Sequence, residues 1–171
     1  MAQPHPAPGA APSLTLSVQY ATTAAELPRW RLRRWVEHVL RSLAALPPDA
    51  ARPSLPTALA LTLRLVDDDE GRELNLAYRE RDYATNVLTF VYGDTPDGAR
   101  HADVVLCLPV LHAEAAEQRK PLLAHAAHLV THGTLHALGY DHEDDDEARL
   151  MESLEIAILA HQRLPNPYTD D

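Results

Sequence analysis

The chain has 171 residues, of which 46% are hydrophobic, and it carries a formal net charge of −10. This length predicts a single domain with a buried core, and the single cysteine excludes an internal disulfide and any cysteine-rich zinc module. The acidic balance argues against a protein that binds nucleic acid nonspecifically through a broadly basic surface.

The ends of the chain carry little structural signal. Residues 1–13 are rich in proline and alanine without periodicity, so we expect a disordered tail there. One domain is expected at 14–164, followed by a loose tail at 165–171. The N-terminus lacks an export signal, and no apolar stretch reaches the ~18 residues of a transmembrane helix. We therefore expect a cytoplasmic protein with no membrane partner.

The first half of the domain predicts two strands, each followed by a helix. Alternating apolar residues indicate strands at 14–20 and 58–66. A helix from Pro28 to just before Pro47 follows the first strand. Its expected apolar face consists of Trp30, Leu32, Trp35, Val36, Val39, Leu40 and Leu43. The second helix begins at the acids 67–70 and runs to about Arg79.

The second half predicts two strands and then three helices. The strands are expected at 87–92 and 102–108, separated by the turn sequence GDTPDG. Helices are expected at 111–119, from Pro121 to Gly139, and from about 143 to 163. Four strands with helices before, between and after them predict an α+β fold.

Three histidines near the end of the fourth predicted helix have the spacing of a metal site. His132 and His136 lie one helical turn apart, so two ring nitrogens can bind one ion. Gly139 permits a left-handed turn that brings His142 back towards the same point. Three neutral nitrogen donors suit Zn²⁺ and leave a fourth tetrahedral position open, which is typical of a catalytic site. We expect one Zn²⁺ per chain, bound by His132, His136 and His142.

The same spacing, HxxxHxxGxxH, is that of the metzincin zinc peptidases. Gly133 stands where such a peptidase carries the glutamate that acts as general base, which opposes a peptidase function. Met151 falls inside a helical repeat of apolar residues, so we assign it to the core rather than to a methionine turn beneath the metal.

Other side chains near the motif compete for roles. His125 and His128 share a helical face with the first two ligands, but three ligands on one straight helix would spread over more than ~10 Å of rise. We assign His128 to packing or to support of a ligand, and His125 to structure. Asp141 and Glu143 flank His142 and could accept a ligand's free ring N–H. A solvated turn is the alternative.

The histidine block and two further segments resemble one known family. Residues 129–142, LVTHGTLHALGYDH, resemble the signature of the YbeY family of single-strand-specific, zinc-dependent endoribonucleases. Residues 74–90, LNLAYRERDYATNVLTF, are similar to a second signature, and ADV at 102–104 is similar to a glycine–aspartate–isoleucine strand. Ala84 and Val91 stand where the family usually has proline, a departure that concerns loop geometry rather than the metal ligands.

The resemblance implies a small mixed four-stranded sheet flanked by about five helices, with the zinc site on a helix in the C-terminal half. It implies a metal-dependent hydrolase that cleaves single-stranded RNA in ribosomal RNA maturation, including 16S rRNA 3′ end processing, and that acts in ribosome quality control. The implied partners are small-subunit ribosomal RNA, the ribosomal small-subunit particle and its assembly proteins.

Arg79, in the second block, becomes the candidate catalytic cation, since a guanidinium offers two parallel donors to a phosphate. Without the resemblance, a helix-end arginine that caps carbonyls or pairs with Asp82 is the simpler interpretation. Three alternative functions remain open. They are a metzincin-like zinc peptidase, a non-catalytic ribosome-assembly factor with a structural zinc, and a hydrolase of another small phosphoester.

Overall fold

The computed structural model describes residues 9–169, so the predicted disorder of the first eight residues concerns a segment outside the described range. The described residues form four strands and five helices in the predicted order. The elements are β1 (Ser13–Tyr20), α1 (Arg29–Ala44), β2 (Ala58–Val66), α2 (Asp68–Arg79), β3 (Val87–Asp94), β4 (Ala99–Cys107), α3 (Leu108–Glu117), α4 (Leu122–Ala137) and α5 (Asp145–His161).

The strands form one mixed sheet in the order β1-β2-β4-β3, which confirms the predicted α+β class. β1, β2 and β4 run parallel, because helices cross between them, and β3 runs antiparallel to β4 at the edge. The alternating leucines of β2, from Leu59 to Leu65, are at most 1% exposed. They face the larger of two apolar clusters.

The two faces of the sheet are covered unequally. α1 and α4 pack on one face, α5 packs against these two helices, and the three helices supply most of the main core. On the other face, Val66, Leu88, Val105 and Cys107 form a small cluster beside α2. Cys107, a member of this cluster, is buried. Because α4 lies between the sheet and its neighbouring helices, most of its residues are buried, and this fixes which of its side chains can reach solvent.

Two details differ from the sequence predictions. Trp30 is 60% exposed, and the guanidinium of Arg31 lies 5.0 Å from its ring centroid. The reason is angular, because Trp30 lies roughly 120° around the helix from Val36, outside the buried stripe. β4 also passes directly into α3, so the apolar residue Leu108 begins the helix instead of ending the strand. Within residues 9–169, no helix is both long and apolar enough to cross a membrane.

Candidate metal centre

α4 carries two of the three predicted ligands, and a glycine on its sheet-facing side determines how it packs. A Cβ added to Gly133 would lie 2.7 Å from Cγ1 of Val104 on β4, so only glycine permits this approach of helix and strand. His132 and His136, by contrast, line a cleft between α4 and the edge strand β3. The position of Gly133 therefore faces the sheet rather than the cleft.

The turn after α4 returns the chain as the sequence predicted. Gly139 has a φ of +99°, and the N–H of Tyr140 donates to the carbonyl oxygen of Leu135 at 3.1 Å. The ring centroid of His142 consequently lies 5.7 Å from that of His132 and 4.9 Å from that of His136. One potential ligand atom from each of the three histidines lies within 4.8 Å of the others.

Hydrogen bonds on the far side of two rings fix which nitrogen faces the cleft. Nδ1 of His132 lies 2.5 Å from Oε1 of Glu155, and Nδ1 of His136 lies 2.9 Å from the carbonyl oxygen of Tyr140. Both partners are acceptors, so we assign a proton to each Nδ1. The two Nε2 lone pairs then face one another across 3.0 Å. A tetrahedral ion with bonds of 2.0–2.1 Å separates its ligand atoms by about 3.3 Å, so the residues present fit Zn²⁺.

The protonation state of His136 also suits a ligand. Burial, and then the charges of His132 and His142, lower the pKa of His136 to about 4. The bond to the Tyr140 carbonyl acts in the opposite direction but is the weaker effect. His136 is therefore neutral near pH 7, which is the form that binds a metal.

Glu155 on α5 is a residue beside the histidine cluster that the sequence did not single out. Its carboxylate has no solvent exposure. Oε1 accepts from Nδ1 of His132, while Oε2 accepts from the Tyr168 hydroxyl and from Nε2 of His128 at 3.1 Å. Burial raises the pKa of Glu155, but the hydrogen bonds from the two histidines and Tyr168 outweigh it and lower the pKa to about 2. The carboxylate is therefore ionised at neutral pH.

A signal for Glu155 was present in the sequence. The residue lies four positions after Met151 and three before Ile158, both of which are buried on α5. A single acid inside such an apolar stripe must find a buried partner. The neighbouring Ile156, by contrast, is only half-buried.

The remaining candidates take other positions. His128, assigned to packing or to support of a ligand, contacts Glu155. His125 pairs with Glu114 at 2.7 Å, outside the cluster of three. Asp141, one of the two acids that could have accepted a ring N–H, accepts the backbone N–H of His142 through Oδ1 at 2.8 Å. The acceptors of the ring N–H groups of His132 and His136 come from α5 and from the backbone of the turn.

A second group of side chains could in principle hold a metal. His128, His132 and Glu155 also offer ligand atoms within 4.8 Å of one another. However, the closest pair, Nδ1 of His132 and Oε1 of Glu155, is separated by 2.5 Å. This is a direct hydrogen-bond contact, and it is shorter than the ~3.3 Å between two ligands of one tetrahedral ion. The geometry favours the group of three histidines.

The histidines open into a cleft of about 550 Å³. The C-terminal half of α4 and the following turn line one side, and the end of α2, the following loop and β3 line the other. Arg79, the last residue of α2, belongs to the second side. Pairing of Arg79 with Asp82 is excluded, because Asp82 binds Arg72 through contacts of 2.6 and 2.8 Å. Among the described residues, the Arg79 guanidinium has no hydrogen bond or ion pair.

The sequence of this chain is similar to those of known proteins over most of its length. The family model described as Endoribonuclease YbeY matches residues 17–163, which include the three histidines and Arg79. A protein from Bordetella pertussis named Endoribonuclease YbeY is 57% identical over 158 residues, covering 92% of this chain and 98% of its own length. One of the same name from Paraburkholderia phytofirmans is 48% identical over 162 residues, covering 92% and 97%.

A solved structure shares the fold. The solution structure of a Thermotoga maritima protein superposes with a TM-score of 0.54 at 20% identity, covering 87% of this chain and 92% of the other. At that identity the likeness concerns the arrangement of helices and strands alone.

Proposed function

Because this chain belongs to the YbeY family of endoribonucleases and is therefore a hydrolase of RNA phosphodiester bonds, we propose that it is a zinc-dependent enzyme that cleaves single-stranded RNA in ribosomal RNA maturation. The proposed substrate is small-subunit ribosomal RNA, including the 3′ end of 16S rRNA. The proposed partners are the ribosomal small-subunit particle and its assembly proteins, and the proposed setting is cytoplasmic ribosome maturation and quality control.

The observation that carries this proposal is the convergence of His132, His136 and His142 in a cleft that also contains Arg79. The three histidines would hold one Zn²⁺ per chain. When bound, zinc supplies Lewis-acid chemistry, which polarises a phosphoryl oxygen and lowers the pKa of water. His142 is exposed and the ligand set faces the cleft rather than the core, which favours a catalytic over a purely structural role for the metal.

Arg79 is the proposed catalytic cation. Its guanidinium has no partner within residues 9–169, so its planar fork of donors is available to two non-bridging oxygens of a phosphodiester. From the side of the cleft formed by α2 and β3, Arg79 would orient the phosphate towards the histidines. It would also offset the negative charge that grows on the phosphate during cleavage.

The dimensions of the cleft support a single-stranded substrate. A volume of about 550 Å³ is typical of a site that encloses a small ligand or one short segment of chain. An RNA duplex presents its phosphates on a wide, rigid cylinder, whereas a single strand can bend one phosphate into such a cleft. Asp141 and Glu143 at the rim of the cleft and the net charge of −10 oppose long-range attraction of RNA. Selection of the phosphate therefore depends on local contacts.

Cleavage of a circular single-stranded RNA by zinc-loaded protein tests the proposal, because a circle has no ends and only an endonuclease can open it. We expect the circle to be linearised, a duplex of the same sequence to stay intact, and His136→Ala to be inactive. Binding to small-subunit particles without cutting RNA would support the assembly-factor alternative. Digestion of an unfolded protein would support the peptidase, and cleavage of small phosphoesters alone would support the third alternative.

A further inference from the structure

Glu155 links α5 to the proposed metal centre through a fully buried carboxylate. Both of its oxygens are occupied, since Oε1 accepts from His132 at 2.5 Å and Oε2 accepts from His128 and from the Tyr168 hydroxyl. Burying a carboxylate costs free energy unless donors replace its water. Two donors from α4 and one from the segment after α5 do so here, and one of them belongs to a proposed zinc ligand.

We propose that Glu155 is a positioning residue, which holds His132 in the orientation and tautomer that direct its Nε2 towards the metal. This role rests on the proposed function of the histidine cluster. An acceptor on Nδ1 fixes the ring's rotation and makes Nε2 the free ligand atom, and a negative charge there makes the ring a stronger donor to a cation. His136 receives the equivalent support from the Tyr140 carbonyl, a backbone group that no side-chain substitution removes.

Tyr168 extends this link to the segment after α5. Its hydroxyl donates to Oε2 of Glu155, and its ring packs edge-on against His128 with centroids 5.4 Å apart. Lys120, just before α4, donates to the carbonyl oxygen of Pro167, and this hydrogen bond holds the same segment against the start of α4. Tyr168 and His128 thus restrict the carboxylate to one orientation, in which Oε1 faces His132.

The chain offers a matched control for Glu155. Glu114 on α3 also accepts from a histidine of α4, through a contact of 2.7 Å to Nε2 of His125. The His125 side chain is 3% exposed, against 21% for His132, and His125 is not one of the three converging histidines. Glu114→Gln therefore removes a glutamate–histidine charge interaction with the same helix, at a carboxylate that is 27% exposed, without touching a proposed ligand.

The test measures zinc affinity by competition with a chromophoric chelator, in the absence of RNA. Loss of a group that orients a ligand typically lowers metal affinity by roughly 10- to 100-fold. We expect Glu155→Gln, which keeps an acceptor but loses the charge, near the lower end of this range, and Glu155→Ala near the upper end. Glu114→Gln should bind like the unsubstituted protein. The visible spectrum of bound Co²⁺ should keep its shape in the Glu155 variants, because the ligand set is unchanged.

Three results would overturn the role of Glu155. Equal affinity in all variants would show that Glu155 only supports the fold. A changed Co²⁺ spectrum with loss of stoichiometric binding would show that it is a ligand, and equal weakening by Glu114→Gln would show a general effect on α4. Should the Glu155 variants not fold, Tyr168→Phe decides, since weaker zinc binding supports the role and unchanged binding opposes it. Failure of the unsubstituted protein to bind zinc would instead overturn the proposed zinc dependence itself.

Discussion

The Nε2 atoms of His132 and His136 lie 3.0 Å apart, and an acceptor on the far side of each ring holds them there. The helix supplies the spacing, but the orientation comes from Glu155 on α5 and from the turn at Tyr140. The two nitrogens are therefore arranged for a common cation before one binds, so little side-chain entropy has to be lost on binding.

Removing the proposed ligands should remove the metal. His132→Ala or His136→Ala should abolish stoichiometric zinc binding, because each substitution destroys the His132–His136 pair whose ring orientations are fixed by hydrogen bonds. His142→Ala should only weaken binding, since the preorganised pair remains. Elemental analysis of purified protein measures this, with the exposed His101→Ala as control. One zinc per chain after replacement of all three ligands would contradict the assignment.

Arg79→Ala should lower the rate of RNA cleavage by about 10²–10³-fold, the usual cost of removing one group that stabilises transition-state charge. Arg79→Lys should recover only part of that loss, because lysine keeps the charge but not the planar fork. Zinc content should not change. Arg72→Lys is the matched control, since Arg72 lies on the same helix but pairs with Asp82. Equal rates for Arg79→Lys and the unsubstituted protein would remove Arg79 from the mechanism.

Gly133→Ala should destabilise the fold by about 1–3 kcal/mol through overpacking, because the added Cβ would lie 2.7 Å from Cγ1 of Val104. Val104→Ala removes that atom, so the double variant should be more stable than the two single effects predict. Urea unfolding of the four proteins measures the coupling. Strictly additive changes in the free energy of unfolding would show that Gly133 and Val104 are not in close contact.

Acid should destabilise the metal-free protein between pH 6.5 and about 4, because burial and neighbouring histidine charges lower the pKa of His136 from 6.5 to about 4. In this window the unfolded chain binds a proton that the folded chain does not. The contribution of His136 to the free energy of unfolding is therefore fully present above the window and is lost as the pH falls through it. The slope from one such group approaches ~1.4 kcal/mol per pH unit. Urea unfolding with a chelator present should show a shallower slope for His136→Ala, and identical slopes would contradict this origin.

The sequence was sufficient where local geometry decides the structure. The positions of His132 and His136 follow from one helical turn, and the return of His142 follows from the left-handed Gly139. The first two strands were found from their alternating apolar residues and the last two from the turn sequence between them. Their order in the sheet was not predicted, since alternation identifies a buried face without identifying the neighbouring strand.

Contacts between elements that are distant in the sequence could not be predicted from the sequence. Glu155 lies 23 residues from His132, and their pairing depends on how α5 packs on α4. The closeness of Gly133 to Val104 likewise depends on how α4 packs on the sheet. Arg79 was singled out through family resemblance, because no spacing rule relates the end of α2 to a cleft beside α4.

The most direct test of zinc-dependent RNA cleavage is a zinc titration of chelator-treated protein, with cleavage of single-stranded RNA measured at each step. The rate should rise in proportion to bound zinc, reach a plateau at one ion per chain, and stay at background throughout for His136→Ala. Full activity in the metal-free protein, or activity in His136→Ala equal to that of the unsubstituted chain, would contradict the assignment of catalysis to a zinc ion held by the three histidines.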